Sequence, residues 1–492
     1  MSSFGVRKKL RIKSALAGIA ALATTISGPV AHAQGISLLR DAEIEKMLDD
    51  YSRPIFKAAG INPSSIEILL VNDASMNAFA GGRYMGVNTG MITFAETPNE
   101  LKGVIAHEAG HIAGGHSTRS SEAMANAGRP MILGLLLAAG AIAAGAPEAG
   151  IGLMGLGQNV GIANYLKYSR SQEATADQSS ITYLDRLGES SKGAMELWSR
   201  VRNYQIITGA RINPYLLTHP LANERLTALT ERAEKSPYFD VTDSPEELAR
   251  FRLIQAKIMG FLHDPNDTLR KFPLSDQSEP AHYARAVAYY RYSDIENALK
   301  EVRILTETRP DYPYFHELEG QILFEYGHTN EAIAPHQKAV DLLPTNALLR
   351  INLGRALLAS GEPQKISQAE QELKRATVLE RDNGFAWFEL ARAYSEQGNE
   401  PMANLATAET RFQAGAEQDA NQFARRAMRG LKRGSPDWRH AADIIFATQS
   451  AEGAAPLPQA VDDGEPSKLP SPTPKTTKSK PDVPDPVIQL ND

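Results

Sequence analysis

The strongest constraint on how this 492-residue chain can fold is a recurrence in its second half. Pro310 and Pro344 stand 34 residues apart, and so do Ala298 and Ala332, Gly320 and Gly354, and Gly327 and Gly361. A fixed interval of this size is the mark of a supersecondary unit copied along the chain, each copy too small to bury its own apolar face. The recurring positions are prolines and small residues, which suit helix starts, tight turns and close helix–helix approach. An ordinary helical bundle is the alternative, but it has no reason to place the same residue types at one interval four times over.

Trp387, Leu390, Ala391 and Tyr394 fit the W-x2-L-G/A-x2-Y opening of a tetratricopeptide repeat, with Gly398 and Ala403 at its later positions. An insertion around Pro363–Ser367 moves Gly361 and Gly398 to 37 residues apart. The segment from Ser244 to about Gln449 therefore reads as about four repeats with degenerate helices at each end. Stacked pairs of this kind offer a concave surface to extended or helical protein segments.

The first half answers to a different constraint. His107-Glu108-Ala109-Gly110-His111 lies in Glu100–His116, a stretch with few helix breakers that follows Thr97-Pro98, a good N-cap and first-turn pair. Residues four apart share a helix face, so His107 and His111 can point two imidazoles at one ion while Glu108 reaches a water beside it. Two neutral nitrogen ligands, an open position and a carboxylate base are what a zinc hydrolase needs. A solvated helix face carrying the same three residues is the bland alternative. It loses ground to Ser169–Asp177, where Glu173 and Asp177 are again four apart. Glu173 would complete a His-His-Glu site, and Asp177 could accept a hydrogen bond from a ligand His and fix its orientation.

Around these motifs, Asp41 to Ala59 reads as an amphipathic helix, Ile66 to Val71 as a β-branched strand between turn residues, and Arg83 to Asn88 as a second strand. Met131–Gly145 and Ile151–Gly157 are uncharged apolar runs separated by Ala146–Gly150. Neither has the length of a membrane span, and Ala and Gly dilute both. They read as a packed helical hairpin, as a surface that touches a partner or a membrane, or as a true insertion.

Residues 1–33 have the form of a secretory signal: a basic start (Arg7, Lys8, Lys9, Arg11, Lys13), an apolar stretch from Ala15 to Ile26, and Ala31-His32-Ala33 as the cleavage site. An uncleaved anchor is the alternative. Export to the periplasm, with cleavage near Ala33, agrees with the complete lack of cysteine, which also excludes disulfides and thiolate ligands. Residues 451–492 are rich in Pro, Ser, Lys and Asp and read as a disordered tail. A net charge of −6 with no basic run gives no sign of nucleic acid.

HEAGH followed by ExxxD resembles the M48 family of zinc metallopeptidases, gluzincins whose third ligand is a Glu. Asn77-Ala78-Phe79-Ala80 with Gly81-Gly82, Val87–Ile92, Glu100-Leu101 with Val104-Ile105-Ala106, and Thr218-His219-Pro220 with Glu224-Arg225-Leu226 resemble further signatures of the family. The chain departs from the pattern in lacking a Pro before Gly81-Gly82 and in carrying Gly115, not Arg, before His116. The resemblance implies an α+β zincin-like (gluzincin) peptidase domain over residues 37–236, followed by an all-α tetratricopeptide-repeat solenoid over residues 244–449. It implies one Zn2+ per chain held by His107, His111 and Glu173, with Glu108 as base and Asp177 steadying an imidazole. Asn77 to Phe79 would form an edge strand to which substrate adds. His219 would approach the zinc, either to stabilise the oxyanion or to occupy the open position; a purely local role before Pro220 is the alternative. By the same resemblance, the clients are unfolded or assembling outer-membrane β-barrel proteins and their assembly machinery, with peripheral membrane contact left open. The rival reading is a chaperone or assembly scaffold in which proteolysis is secondary. A zinc-stabilised inactive fold would have no need of Glu108.

Overall fold

The computed structural model describes residues 37–117, 119, 133, 137, 147–208, 219 and 223–449. The expected secretory signal (1–33), the expected disordered tail (451–492) and most of the 131–145 apolar run lie outside them. Contacts divide the chain into two compact units, Met1–Asn352 and Leu353–Asp492.

In the first unit, Asp41 caps α1 (Ala42–Ala58) by accepting from the amides of Glu43 and Ile44. Ile44, Met47, Leu48, Tyr51 and Ile55 recur at helical spacing and are buried together. Strand β1 (Leu38–Leu39), β2 (Glu67–Val71), β3 (Ala78–Gly81) and β4 (Tyr84–Asn88) form one sheet in the order β1-β2-β4-β3. The β2–β4 pair is parallel and the two outer pairs are antiparallel. Among the described residues β3 is therefore an edge of the sheet, with Phe79 opposite Gly86. Helix α2 (Thr89–Phe94) leads to α3 (Pro98–Ala113), where the Thr97 hydroxyl accepts from the Glu100 amide. Helix α4 (Pro147–Leu187) is 41 residues long. The Ile151–Gly157 run is continuous with the helix carrying Glu173 and Asp177, and Leu156 and Val160, four apart on one face, are exposed. Helices α5 (Lys192–Thr208) and α6 (Asn223–Ala233) complete this part. Among the described residues, no helix is long and apolar enough to cross a membrane.

The helices that follow continue the same unit. From α7 (Pro245–Leu262), Phe251, Ile254 and Ile258 enter the core that holds Trp198 and Ile105, and Gln255 donates to the carbonyls of Ile92 and Ala95. After α8 (Pro265–Lys271) come two helix pairs, α9 (Glu279–Arg291) with α10 (Ile295–Thr308), and α11 (Pro313–Glu325) with α12 (Thr329–Leu342). Their first residues are 34 apart, 279 to 313, and α13 (Ala347–Ala359) begins 34 further on. Gly327 turns between α11 and α12 at φ +85°. Thirty-four residues earlier the same turn is made by Ser293 at φ +61°, the one non-glycine among the described residues with positive φ. A side chain in this left-handed region costs about 1–2 kcal/mol relative to glycine, which is why the pattern favours Gly there.

The division between the units falls within α13. In the second unit, α14 (Pro363–Leu379), α15 (Gly384–Glu396), α16 (Glu400–Gln413), α17 (Glu417–Gly430) and α18 (Pro436–Ala447) are again antiparallel-type pairs of short helices around an Ala-rich core that includes Ala420, Ala424 and Ala441. Leu390 and Tyr394 of the tetratricopeptide pattern are buried. The three-residue insertion is absorbed as helix: α14 has 17 residues where α12 and α16 have 14.

Candidate metal centre

Every residue of α3 from Pro98 to Gly110 is buried. His107 and Glu108 are 0% and 1% exposed, which rules out a solvated face as the reason for these residues. Burying two imidazoles and a carboxylate is costly unless each finds a partner. The partner is α4, and Gly110 allows the approach: a Cβ there would lie 2.9 Å from the Ala176 Cα. Ala176 stands between Glu173 and Asp177, so the close crossing at Gly110 brings both carboxylates to the histidines.

Two imidazole nitrogens and one carboxylate converge. His107 Nε2 is 3.1 Å from His111 Nε2 and 3.4 Å from Glu173 Oε2, and His111 Nε2 is 3.3 Å from Glu173 Oε1. A tetrahedral zinc with donors at about 2.0–2.2 Å spaces any two of them about 3.3–3.6 Å apart. The two His–Glu173 separations fall in that range and the His107–His111 separation is slightly under it, and two nitrogens with one carboxylate are a suitable donor set. His219 joins them, with Nδ1 3.1 Å from each Glu173 oxygen and 3.4 Å from His107 Nε2. Ligand atoms of His107, His111, Glu173 and His219 all lie within 4.8 Å of one another. Thr218 and Pro220, which flank His219 in the sequence motif, lie outside the described residues.

Glu108 stands beside this cluster without belonging to it. Its Oε1 is buried, has no hydrogen-bond partner, and lies 3.4 Å from His219 Nε2. A buried acceptor with nothing to accept from is expensive and calls for a ligand or a water.

Asp177 Oδ1 lies 2.9 Å from His107 Nδ1, the ring nitrogen on the side away from the triangle. Its carboxylate also takes Arg225 bidentately, at 2.5 and 2.8 Å, and Arg225 Nη1 reaches Glu173 at 2.8 Å. The sequence motif contains Arg225, but nothing in local spacing assigns it to these two carboxylates. His116 was likewise unassigned. It is buried with its Nδ1 2.9 Å from His111 Nδ1, so each helical histidine has a partner on its outer nitrogen. Trp198 of α5 closes the site edge-on to His107 at 5.4 Å.

The charges favour a cation. Burial opposes ionisation of Glu173, but His107, His111 and His219 outweigh it and hold the carboxyl far below the usual range. Asp177 is held low in the same way, against its burial, by Arg225 and His107. Burial would lower His107, yet Asp177 and Glu173 raise it to about 9. Burial lowers His111, and burial with the neighbouring His111 pushes His116 down to about 4. Two anionic carboxylates thus draw one positive charge into the centre of the cluster, where a metal ion would take the place of a proton.

Comparison with known proteins agrees with this chemistry. Residues 39–233 match Peptidase family M48. The β-barrel assembly-enhancing protease of Escherichia coli (strain K12) is 25% identical over 412 residues, 81% of this chain and 81% of its own length. The protein of the same name from Yersinia pestis is 26% identical over 354 residues, 69% of this chain and 70% of its own. Metalloprotease YcaL of Escherichia coli (strain K12) is 28% identical over 183 residues, 36% of this chain and 67% of its own. The chain carries an M48 metallopeptidase domain, and the protein is a metalloprotease.

Proposed function

We propose that this protein is an exported zinc metalloendopeptidase of protein quality control, acting in the periplasm on misfolded or stalled outer-membrane β-barrel proteins. The observation that carries the enzymatic part is the donor triangle of 3.1, 3.3 and 3.4 Å with an unpartnered, buried Glu108 oxygen beside it. Lewis-acid polarisation of the scissile carbonyl and of the attacking water is the chemistry zinc supplies when bound. His107, His111 and Glu173 would hold it. Asp177 keeps the His107 ring oriented and its inner nitrogen unprotonated, and Arg225 keeps Asp177 in place. Glu108 takes the proton of the attacking water and passes it to the leaving amine. Substrate lies as an added strand on β3, the edge of the sheet among the described residues. His219 occupies the fourth corner of the donor cluster in the resting enzyme. The client class follows from the names of the two long relatives and from the helix pairs, which suit protein segments. The periplasm follows from the secretory pattern of residues 1–33.

The test is casein hydrolysis by the wild-type and Glu108→Gln proteins, with and without chelator, together with elemental analysis. Glu108→Gln should keep its zinc and lose activity by about 10²–10⁴-fold. Full activity in Glu108→Gln would remove Glu108 as the base, and absence of hydrolysis by the wild type would favour the scaffold reading.

A further inference from the structure

A cleft of about 790 Å³ opens in the first compact unit, between α2, α5, α7, the end of α8 and the start of α9. Trp198 of α5 faces His107. Arg200, Asn203 and Tyr204 line the cleft and fall roughly 140–240° around α5 from Trp198, at about 100° per residue. The cleft is therefore on the other face of that helix from the metal centre.

Its walls are aromatic. Phe94 and Tyr204 meet edge to face at 6.4 Å, and Phe272 stands on the α8 side. Tyr204 is 50% exposed at the mouth of the cleft. The floor is fixed, because Gln255 spends both its amide hydrogens on the carbonyls of Ile92 and Ala95. The rim is cationic: Arg200, Arg252 and Lys271 against the single acid Glu96. Arg200 is already held by both oxygens of Glu100 at 2.5 Å. Among the described residues Arg252 forms no ion pair, and Lys271 reaches only the Met259 sulfur and the Phe272 ring. Two uncommitted cations above aromatic walls complement carboxylates and aromatic side chains on one ligand.

The position suggests what that ligand is. Arg200 is anchored on Glu100, seven residues before His107 on α3, about 10 Å along the helix. We propose that this cleft is a docking site for an acidic, aromatic-bearing segment of the client protein, distinct from the segment that is cut. The proposal rests on the peptidase reading for the identity of the ligand as protein. It gives the enzyme a way to select clients that depends on side chains and not only on the backbone pairing along β3.

The experiment measures binding in full-length Glu108→Gln protein by fluorescence anisotropy, so that hydrolysis plays no part. The probes are a short fluorescein-labelled peptide of alternating Asp and Phe and its counterpart with Lys for Asp. The acidic peptide should bind, more weakly as salt rises. Arg252→Glu with Lys271→Glu should weaken it by at least about tenfold, and Tyr204→Ala by about threefold. All three side chains are at the surface, and the melting temperature and zinc content of each variant check that it is folded. Unchanged affinity in the double charge-reversal variant overturns the proposal, as does equal binding of the lysine peptide. Either failure leaves the peptidase reading intact, since that reading stands or falls on casein hydrolysis.

Discussion

Two buried polar clusters sit in the first compact unit, and they are built on opposite terms. In one, around α1, α7, α9 and α11, a buried cation meets its carboxylates directly. Lys257 Nζ lies 2.7 Å from Asp41 and 3.1 Å from Glu43, and Glu43 also accepts from the hydroxyls of Tyr283 at 2.8 Å and Tyr312 at 2.5 Å. In the other, at the candidate metal centre, ring nitrogens and carboxylate oxygens crowd together at 3.1–3.4 Å and a Glu108 oxygen has no hydrogen-bond partner among the described residues. The first cluster is held by its own opposite charges and joins the peptidase fold to the helix pairs. The second has the donor groups that a cation would complete. A cluster whose members satisfy one another is architecture, and one whose members all point at the same empty valence is chemistry.

The comparison can be broken first at Lys257. Lys257→Ala would leave Glu43 and Asp41 without their cation, and Glu43 is 0% exposed. Stability should fall by about 3–5 kcal/mol, read from the midpoint of urea unfolding, while folded protein still takes up zinc. Loss of zinc without loss of stability would mean that the two clusters are one.

The next test uses pH. Burial raises Glu317 to about 7, with Asp41 and Glu43 adding to the rise and Lys257 opposing it. Its folded pKa is above the unfolded value, so the folded form holds the extra proton. The stability this confers is full below about 4.5 and is lost as pH rises towards about 7. Glu317→Gln should therefore resemble the parent at pH 5 and exceed it by roughly 1–3 kcal/mol at pH 8, measured by unfolding at each pH. Equal differences at both pH values would show that Glu317 is not titrating in this range.

At the metal centre, Arg225→Ala should weaken zinc binding about 10–100-fold in chelator competition, because Asp177 and Glu173 both lose their bidentate or ionic partner. Arg225→Lys should restore little, since an ammonium cannot take a carboxylate bidentately. The smallest effect belongs to His219. If it fills the fourth corner at rest, His219→Ala should raise casein hydrolysis roughly two- to tenfold by freeing that position. A fall in rate would assign it to the oxyanion instead.

Much of this was legible in the sequence wherever the relevant information is local. The α1 and α3 boundaries follow from Asp41, Thr97 and Pro98, which cap by hydrogen bonds to residues two or three positions on. The pairing of His107 with His111, and of Glu173 with Asp177, follows from helical spacing alone. The helix pairs follow from a 34-residue interval, and the left-handed turn from the Gly that recurs in it. All of these depend on a few neighbouring residues or on a repeated one, so the chain itself carries the signal.

Other features required the tertiary structure. Arg225 lies 48 residues from Asp177, and Tyr312 lies 269 from Glu43, with no periodicity linking either pair. The helix α7 opens the repeat region by sequence, yet Phe251, Ile254 and Ile258 belong to the peptidase core. An apolar face states that it will be buried but not against what. What the sequence determined by itself was the inventory of local elements and the candidate donor residues that helical spacing places together. Only the tertiary structure decided which carboxylate each cation neutralises and which helices share a core, because contacts between distant residues depend on how whole elements pack, and no short stretch of chain encodes that.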